Sequence, residues 1–260
     1  MTQAIKLALI GPWGRMGRRV LDLALADSDV ILHSVLLRSV DESDERYKEL
    51  PNGCIITDDA DKALAGADAL IDFTAPAVCG TLAPKCSDHN VAYVLASTGL
   101  TVVDNAAVDD AAQSTPILEA ANFSLGVNVL LGLVQAAAEQ LDGFDIEISE
   151  IHHKFKRDAA SGTAYALGQA VHAGRRGLED LTGRSGEAVR EPNELGYAAL
   201  RGGDVAGEHT VFFFGEGERI ELTHRSTTPT IFASGALKAA KWLVGKAPGR
   251  YSMRDVISSK

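Results

Sequence analysis

Ala4-Ile5-Lys6-Leu7-Ala8-Leu9-Ile10 runs straight into Gly11-Pro12-Trp13-Gly14-Arg15-Met16-Gly17, and Arg18-Arg19-Val20-Leu21 carries on from there. The first stretch reads as a short buried strand. From Arg15 to Ala26 the apolar residues recur at helical spacing, so the glycines fall in the turn between a strand and a helix. Glycines at the first, fourth and seventh positions give G-x-x-G-x-x-G, a variant of the dinucleotide fingerprint G-x-G-x-x-G. Such a loop provides a tight turn, close backbone approach to a pyrophosphate and close packing of helix on sheet. The helix start adds N–H donors and the positive end of the dipole. A glycine loop with no ligand is the plainer reading, and the strand–loop–helix placement argues against it. Trp13 stands where the common fingerprint has its second glycine, so its ring must point away from phosphates.

Outward from this turn, strand and helix signals alternate. Strands are expected at Val30–Leu37, Cys54–Ile56, Ala69–Phe73, Val91–Leu95 and Pro116–Leu118. Helices are expected near Asp59–Ala65, Ala77–His89 and Asp104–Gln113. Short apolar strands separated by helices predict a Rossmann-like, doubly wound parallel sheet, an α/β fold. After Asn122 the pattern changes. Leu125–Leu141 reads as an apolar helix and Phe144–His153 as an alternating strand. Its apolar phase, Phe144, Ile146 and Ile148, slips at Ser149-Glu150 to Ile151, which predicts a β-bulge. Arg175–Glu194 reads as a long surface loop, and strands follow at Leu195–Arg201, Glu208–Phe214 and Arg219–Arg225. This predicts a second, smaller α+β domain with a mixed sheet, whose open face could serve an oligomer. Thr230–Leu243 is a final helix, and Arg254–Ile257 is expected to return to the first domain. The expected domains are 1–123 with 235–260 for the dinucleotide, and 124–234 for substrate and oligomerisation.

Composition removes several classes of function. With 260 residues and a formal charge of −10, the chain can bury a sizeable core but offers no broad basic surface for nucleic acid. It has no apolar run long enough for a membrane span. Met1 to Ile10 lacks an apolar h-region and a cleavage site, which predicts a cytoplasmic chain that is not exported. Cys54, Cys79 and Cys86 form no C-x-x-C pair and read as small buried side chains of a reducing compartment, with a catalytic cysteine the lesser alternative.

Two further segments bear on chemistry. Leu37-Arg38-Ser39 ends the second strand, and no acidic residue follows until Asp41. An acid there would bind a ribose 2′-hydroxyl, whereas an arginine accepts a 2′-phosphate, so Arg38 favours NADPH and leaves NADH possible. A solvated surface arginine is the alternative. Glu150-Ile151-His152-His153-Lys154-Phe155-Lys156-Arg157-Asp158-Ala159-Ala160-Ser161-Gly162-Thr163 passes from a strand through a basic loop into a helix. Adjacent strand residues point to opposite faces, so His152 and His153 have different tasks. An imidazole and the Lys156 ammonium suit proton delivery. Ser161 and Thr163 at a helix start suit a carboxylate. No metal is expected, because no ligand spacing such as H-E-x-x-H accompanies the two histidines.

Read together, these residues resemble the dihydrodipicolinate reductases, or 4-hydroxy-tetrahydrodipicolinate reductases, of lysine and diaminopimelate synthesis. The resemblance rests on Gly11 to Gly17, Ile71-Asp72-Phe73-Thr74, Ser97-Thr98-Gly99 and Ala120-Ala121-Asn122-Phe123-Ser124 with Gly126-Val127-Asn128. It continues through His152 to Thr163, Arg201 to Thr210, and Met253-Arg254-Asp255-Val256. It implies a homotetrameric oxidoreductase that uses NAD(P)H to reduce a cyclic dicarboxylate to tetrahydrodipicolinate. It further implies His152 as the acid/base residue and Lys156 as the proton donor, with His153, Ser161, Gly162 and Thr163 at the substrate. Gly11, Pro12, Trp13, Gly14, Arg15, Met16, Arg38, Phe73, Thr74, Ala96, Ser97, Thr98, Ala120, Ala121, Asn122 and Phe123 would line the cofactor. A related aspartate or homoserine dehydrogenase, and a non-catalytic cofactor sensor, are the rival readings.

Overall fold

The computed structural model describes residues 4–259. Met1–Gln3, part of the stretch behind the expectation about export, lie outside them. The chain divides at Ser124/Leu125 and at Pro229/Thr230 into two compact units.

The first unit opens with β1 (Ile5–Ile10), α1 (Arg15–Ala26) and β2 (Val30–Leu36). Gly17, Val20, Leu21 and Ala24 form the buried face of α1, the spacing that turned the sequence pattern into a helix. There follow β3 (Ile55–Thr57), α2 (Ala60–Leu64), β4 (Ala69–Asp72), α3 (Pro76–Asp88), β5 (Ala92–Leu95), α4 (Val102–Ala111) and β6 (Pro116–Glu119). Every residue of β4 and β5 is buried, as central parallel strands covered on both faces require. A 3₁₀ turn at Glu45–Glu49, unforeseen from the sequence, supplies Tyr47 and Arg46 against Trp13.

The second unit is built from α5 (Leu125–Gln140), β7 (Asp145–His152), α6 (Gly162–Gly174), β8 (Glu179–Thr182), β9 (Glu194–Arg201), β10 (Gly207–Gly215) and β11 (Glu218–Ser226). Its sheet has the order β11-β10-β7-β9-β8, antiparallel from β11 to β7 and parallel from β7 to β8. α5 and α6 cover one face, over Ile146, Ile148, Leu195, Val211 and Phe213. Two expectations need correction here. β8 lies inside the segment read as loop. Glu179-Asp180-Leu181-Thr182 has little strand character, and it joins the edge through backbone pairing with β9. The bulge at Ser149-Glu150 does not exist, because the register of β7 with both neighbours is unbroken. The buried set simply continues from Ile146 and Ile148 to Glu150 and His152. Polarity looked like a change of face when it was a change in what that face holds.

The chain then returns to the first unit with α7 (Thr230–Leu243), β12 (Gly249–Tyr251) and α8 (Met253–Ser258). The break expected at 234/235 would cut α7, which is continuous. Gly235 lies on the Phe123 backbone, where a Cβ would stand 1.7 Å from the carbonyl oxygen. β12, absent from the sequence reading, pairs beside β6. The complete sheet has the order β12-β6-β5-β4-β1-β2-β3, all parallel. α8 buries Met253 and Val256 and packs on α7.

Candidate active site

Because every strand of the first sheet is parallel, the residues that follow the strand ends share one edge. Gly11 follows β1, Arg38 lies just past β2, Phe73 follows β4, Ala96 follows β5 and Ala120 follows β6. Each is the start of a segment expected at the cofactor, and the edge is the one where open α/β sheets bind ligands. Gly11 takes φ +61, a left-handed conformation that favours glycine, and accepts the Gly14 N–H on its carbonyl at 3.0 Å. Gly17 must lack a side chain, since a Cβ would stand 2.0 Å from that same carbonyl oxygen. α1 therefore begins flush against the loop. Its N-cap, Gly14, has no side chain to satisfy the first N–H groups, and no acidic residue lies in the first turn. A cleft of about 300 Å³ lies against this helix start, lined by Gly11, Gly14, Arg15, Met16, Phe73 and Thr74 among others. Small residues, uncapped N–H donors and the dipole end fit the pyrophosphate of a dinucleotide.

Thr74 is fixed by Asp72, whose carboxylate accepts from the Thr74 N–H at 2.7 Å, its hydroxyl at 2.6 Å and the Tyr93 hydroxyl at 2.7 Å. Phe73 packs on Phe123, ring centroids 5.7 Å apart. Pro12 and Ser97 are buried, Asn122 is half-buried, and Arg38, Thr98 and Ala121 are exposed. Trp13 is stacked against Tyr47 at 5.6 Å, with the Arg46 guanidinium 4.6 Å over its ring, so the bulky departure from the fingerprint is absorbed by the 3₁₀ turn. The cysteines are free; burial pushes Cys54 and Cys79 up to about 11 and raises Cys86 further, which makes them poor nucleophiles.

In the second unit the helix-covered face of the sheet turns polar at one end. His209 on β10 sits directly opposite Glu150 on β7, and Arg201 on β9 pairs with His152. Glu150 is only 1% exposed. A bare carboxylate at that depth would be costly, and three groups offset the cost. Oε1 accepts from Arg201 Nη2 at 2.7 Å, Oε2 accepts the Ser161 N–H at 3.2 Å, and His152 Nδ1 lies 3.3 Å from Oε2. Burial pushes the carboxyl up, but Ser161, Arg201 and His152 outweigh it and hold Glu150 below its ordinary value. His152 goes the other way. Burial lowers it, Lys156 and Arg201 lower it further, and Glu150 and Asp158 only partly restore it, so the surroundings favour the uncharged ring. His209 meets His152 edge to face at 5.1 Å and is pushed down to about 4, by burial first and His152 second.

Lys156 donates to Asp158 Oδ2 at 2.8 Å, and its N–H closes a turn onto the His153 carbonyl. Ser161 caps α6 by accepting the Ala164 N–H at 3.2 Å, and its hydroxyl also meets His209 Nε2 at 3.1 Å. Its own N–H is committed to Glu150, so the outer part of the helix start is Gly162, exposed, and Thr163, half-buried. His153 lines a separate hollow of about 530 Å³ with Lys154, Phe155, Gly203 and Asp204. The fold thus gathers His152, Lys156 and Ser161 with Glu150, Arg201, Asp158 and His209. The last four were given no role from the sequence, although Asp158, Arg201 and His209 stand in segments that carry the family resemblance. Glu150 was taken for a residue at a bulge, and nothing local marks His209, 57 residues beyond His152, as its neighbour.

The expectation of no metal set also needs amending. Glu150, His152 and His209 offer ligand atoms within 4.8 Å of one another, a grouping that linear spacing hid. The carboxylate already neutralises Arg201, and His209 Nε2 already meets Ser161, so the set is better described as an internal ion-pair network than as a cation site.

Residues 5–123 match the family described as dihydrodipicolinate reductase, N-terminus, and residues 126–257 match its C-terminus. The chain belongs to the dihydrodipicolinate reductase family. A relative from Thiobacillus denitrificans is 44% identical over 99% of this chain and 100% of its own. One from Aquifex aeolicus is 41% identical over 98% and 99%. Both are named 4-hydroxy-tetrahydrodipicolinate reductase. A solved dihydrodipicolinate reductase from Paenisporosarcina sp. TG-14, bound to dipicolinate, superposes with a TM-score of 0.82 at 22% identity, covering 96% of this chain and 98% of that one. The shared fold is a Rossmann-like unit carrying a smaller mixed-sheet unit.

Proposed function

We propose that this chain is a 4-hydroxy-tetrahydrodipicolinate reductase, an NAD(P)H-dependent oxidoreductase of the diaminopimelate and lysine pathway. The observation that carries this reading is identity of 44% along the full length of a relative with that name. The glycine loop, Phe73, Thr74 and the segments 96–98 and 120–123 hold the cofactor. NADPH is the favoured form, because Arg38 stands where an acid would select NADH; NADH remains a usable alternative. When bound, the cofactor supplies the hydride.

The chain's own side chains handle the proton and the substrate's charge. Gly162 and Thr163, with the positive end of α6, receive one carboxylate of a small cyclic dicarboxylate, and His153, from the neighbouring hollow, is assigned to the other. Lys156, held by Asp158, is the proton donor. His152 is the acid/base residue that relays a proton from solvent to Lys156 after Lys156 has given its own to the substrate. Ser161 supports the site from beneath through its cap rather than by its own N–H. The outward face of the second sheet, where Phe212 and Phe214 stack at 5.6 Å and Ile151 and Leu200 stand in register, supports a homotetramer. Among the described residues no helix is long and apolar enough to cross a membrane. Cytoplasmic placement follows from the biosynthetic role.

The decisive assay couples the chain to the upstream synthase with aspartate semialdehyde and pyruvate, following NADPH and NADH oxidation separately. Oxidation that depends on the synthase product supports the reading, and faster NADPH oxidation supports the cofactor preference. No oxidation of either nucleotide would reject it. Light scattering of the purified chain tests the tetramer; a monomer at micromolar concentration would reject that assignment.

A further inference from the structure

Two imidazoles, one guanidinium and one helix start converge on a single carboxylate that has no task of its own in the proposed reaction. Glu150 Oε2 accepts the N–H of the α6 cap residue and lies 3.3 Å from His152 Nδ1 and 3.7 Å from His209 Nε2. Oε1 takes Arg201, whose guanidinium also reaches the carbonyl of Asp158, the partner of Lys156. On the far edge of the His152 ring sits Gly207, where a Cβ would come within 3.1 Å of Nε2, so no side chain from β10 intrudes there. The Nδ1 edge of the ring therefore faces the carboxylate at 3.3 Å, without a directed hydrogen bond, and Nε2 faces the bare backbone of Gly207.

We propose that Glu150 is the positioning residue for His152, its carboxylate facing Nδ1 at 3.3 Å, where protonation of the ring would close the pair, and linking it, through the Ser161 N–H on the same oxygen, to the helix start that receives substrate. This deepens the reading of His152 as the acid/base group and rests on it. A buried carboxylate beside an imidazole fixes which nitrogen carries the proton and stabilises the ring when it becomes charged. Here the carboxylate is itself pinned by Arg201 from β9, so the ring, the cap and the Lys156–Asp158 loop share one brace.

The charged groups around His152 are Glu150 on β7, Arg201 on β9, His209 on β10, and Lys156 and Asp158 on the following loop. Glu150 favours the protonated ring, whereas Arg201 and Lys156 oppose it. Two substitutions should thus push its titration in opposite directions. The unliganded protein is followed by NMR of the histidine ring protons, with His152 assigned from the signal lost in His152→Asn. Glu150→Gln is expected to move the His152 inflection to lower pH, and Arg201→Met to higher pH. In turnover, Glu150→Gln is expected to lower kcat about 10²- to 10⁴-fold with little change in KM, the scale on which a carboxylate orients a catalytic imidazole. Unshifted or same-direction titrations, or a Glu150→Gln variant with wild-type kcat, overturn the proposal. If Glu150→Gln does not fold, the Arg201→Met titration decides alone: an upward shift supports the brace and any other result rejects it. Should the wild type fail to reduce the dicarboxylate, the reading of function falls while the titrations still judge Glu150.

Discussion

Acid is expected to destabilise the second unit through His209. Its ring is 4% exposed and its pKa falls from an ordinary 6.5 to about 4, because burial disfavours the charged form and the neighbouring His152 opposes it. The unfolded chain therefore binds a proton at His209 more tightly than the folded one. The stabilising effect is whole above about pH 6.5 and is lost as the pH falls toward 4. Between pH 7 and pH 5 the linkage gives a loss of about 2 kcal/mol, with a limiting slope of about 1.4 kcal/mol per pH unit for one proton. His209→Gln should remove that slope while keeping an amide donor for the Ser161 hydroxyl. It will itself cost about 1 kcal/mol at neutral pH for the imperfect replacement. The assay is equilibrium urea unfolding at pH 7 and pH 5, followed by circular dichroism because both tryptophans, Trp13 and Trp242, belong to the first unit. The wild type should lose about 2 kcal/mol more than the variant. Parallel losses in the two proteins would show that His209 is not the group responsible.

Three further outcomes are expected. Gly17→Ala places a Cβ 2.0 Å from the Gly11 carbonyl, and the forced opening of the loop should weaken NADPH and NADH binding by at least about tenfold in calorimetry, despite the roughly 1 kcal/mol that alanine favours in a helix. Lys156→Met should reduce kcat by roughly 10²- to 10⁴-fold with the urea midpoint nearly unchanged, since it loses only a partly exposed pair with Asp158; wild-type turnover would remove Lys156 from the proton path. Arg38→Ala should lower kcat/KM for NADPH by about tenfold or more and leave NADH within about twofold, a bidentate phosphate contact being worth at least about 1.4 kcal/mol. Equal losses for both nucleotides would show that Arg38 does not read the 2′-phosphate.

The glycine loop was legible because everything that defines it is local: the strand that ends at Ile10, the spacing of Gly11, Gly14 and Gly17, and the apolar stripe of α1. Most other strands of the first sheet followed from short apolar runs, of which β4 and β5 are buried throughout. What escaped had non-local causes. β8 and β12 are held by backbone pairing with β9 and β6, and their own residues carry little strand signal. At Glu150 the reading went wrong for a physical reason, since two polar residues in buried positions imitate a strand that has turned over. Only the partner strands, bringing Arg201 and His209 from far along the chain, reveal that the face is unchanged and its polarity neutralised. The candidate site was thus half visible. The segment that carries His152 and Lys156 announces itself, whereas the groups that brace it do not.

The return of α7 and β12 to the first unit bears on how the chain is made. Residues 125–229 form a contiguous unit whose every element is already in place once residue 229 has been added. The nucleotide-binding half is then still incomplete. α7 contributes cover to β4, β5 and β6 and seats Gly235 against Phe123, so until it is synthesised one flank of the parallel sheet stays bare. The half that emerges first is the half that finishes last, and a nascent chain halted before residue 230 would present an apolar surface for chaperones to guard.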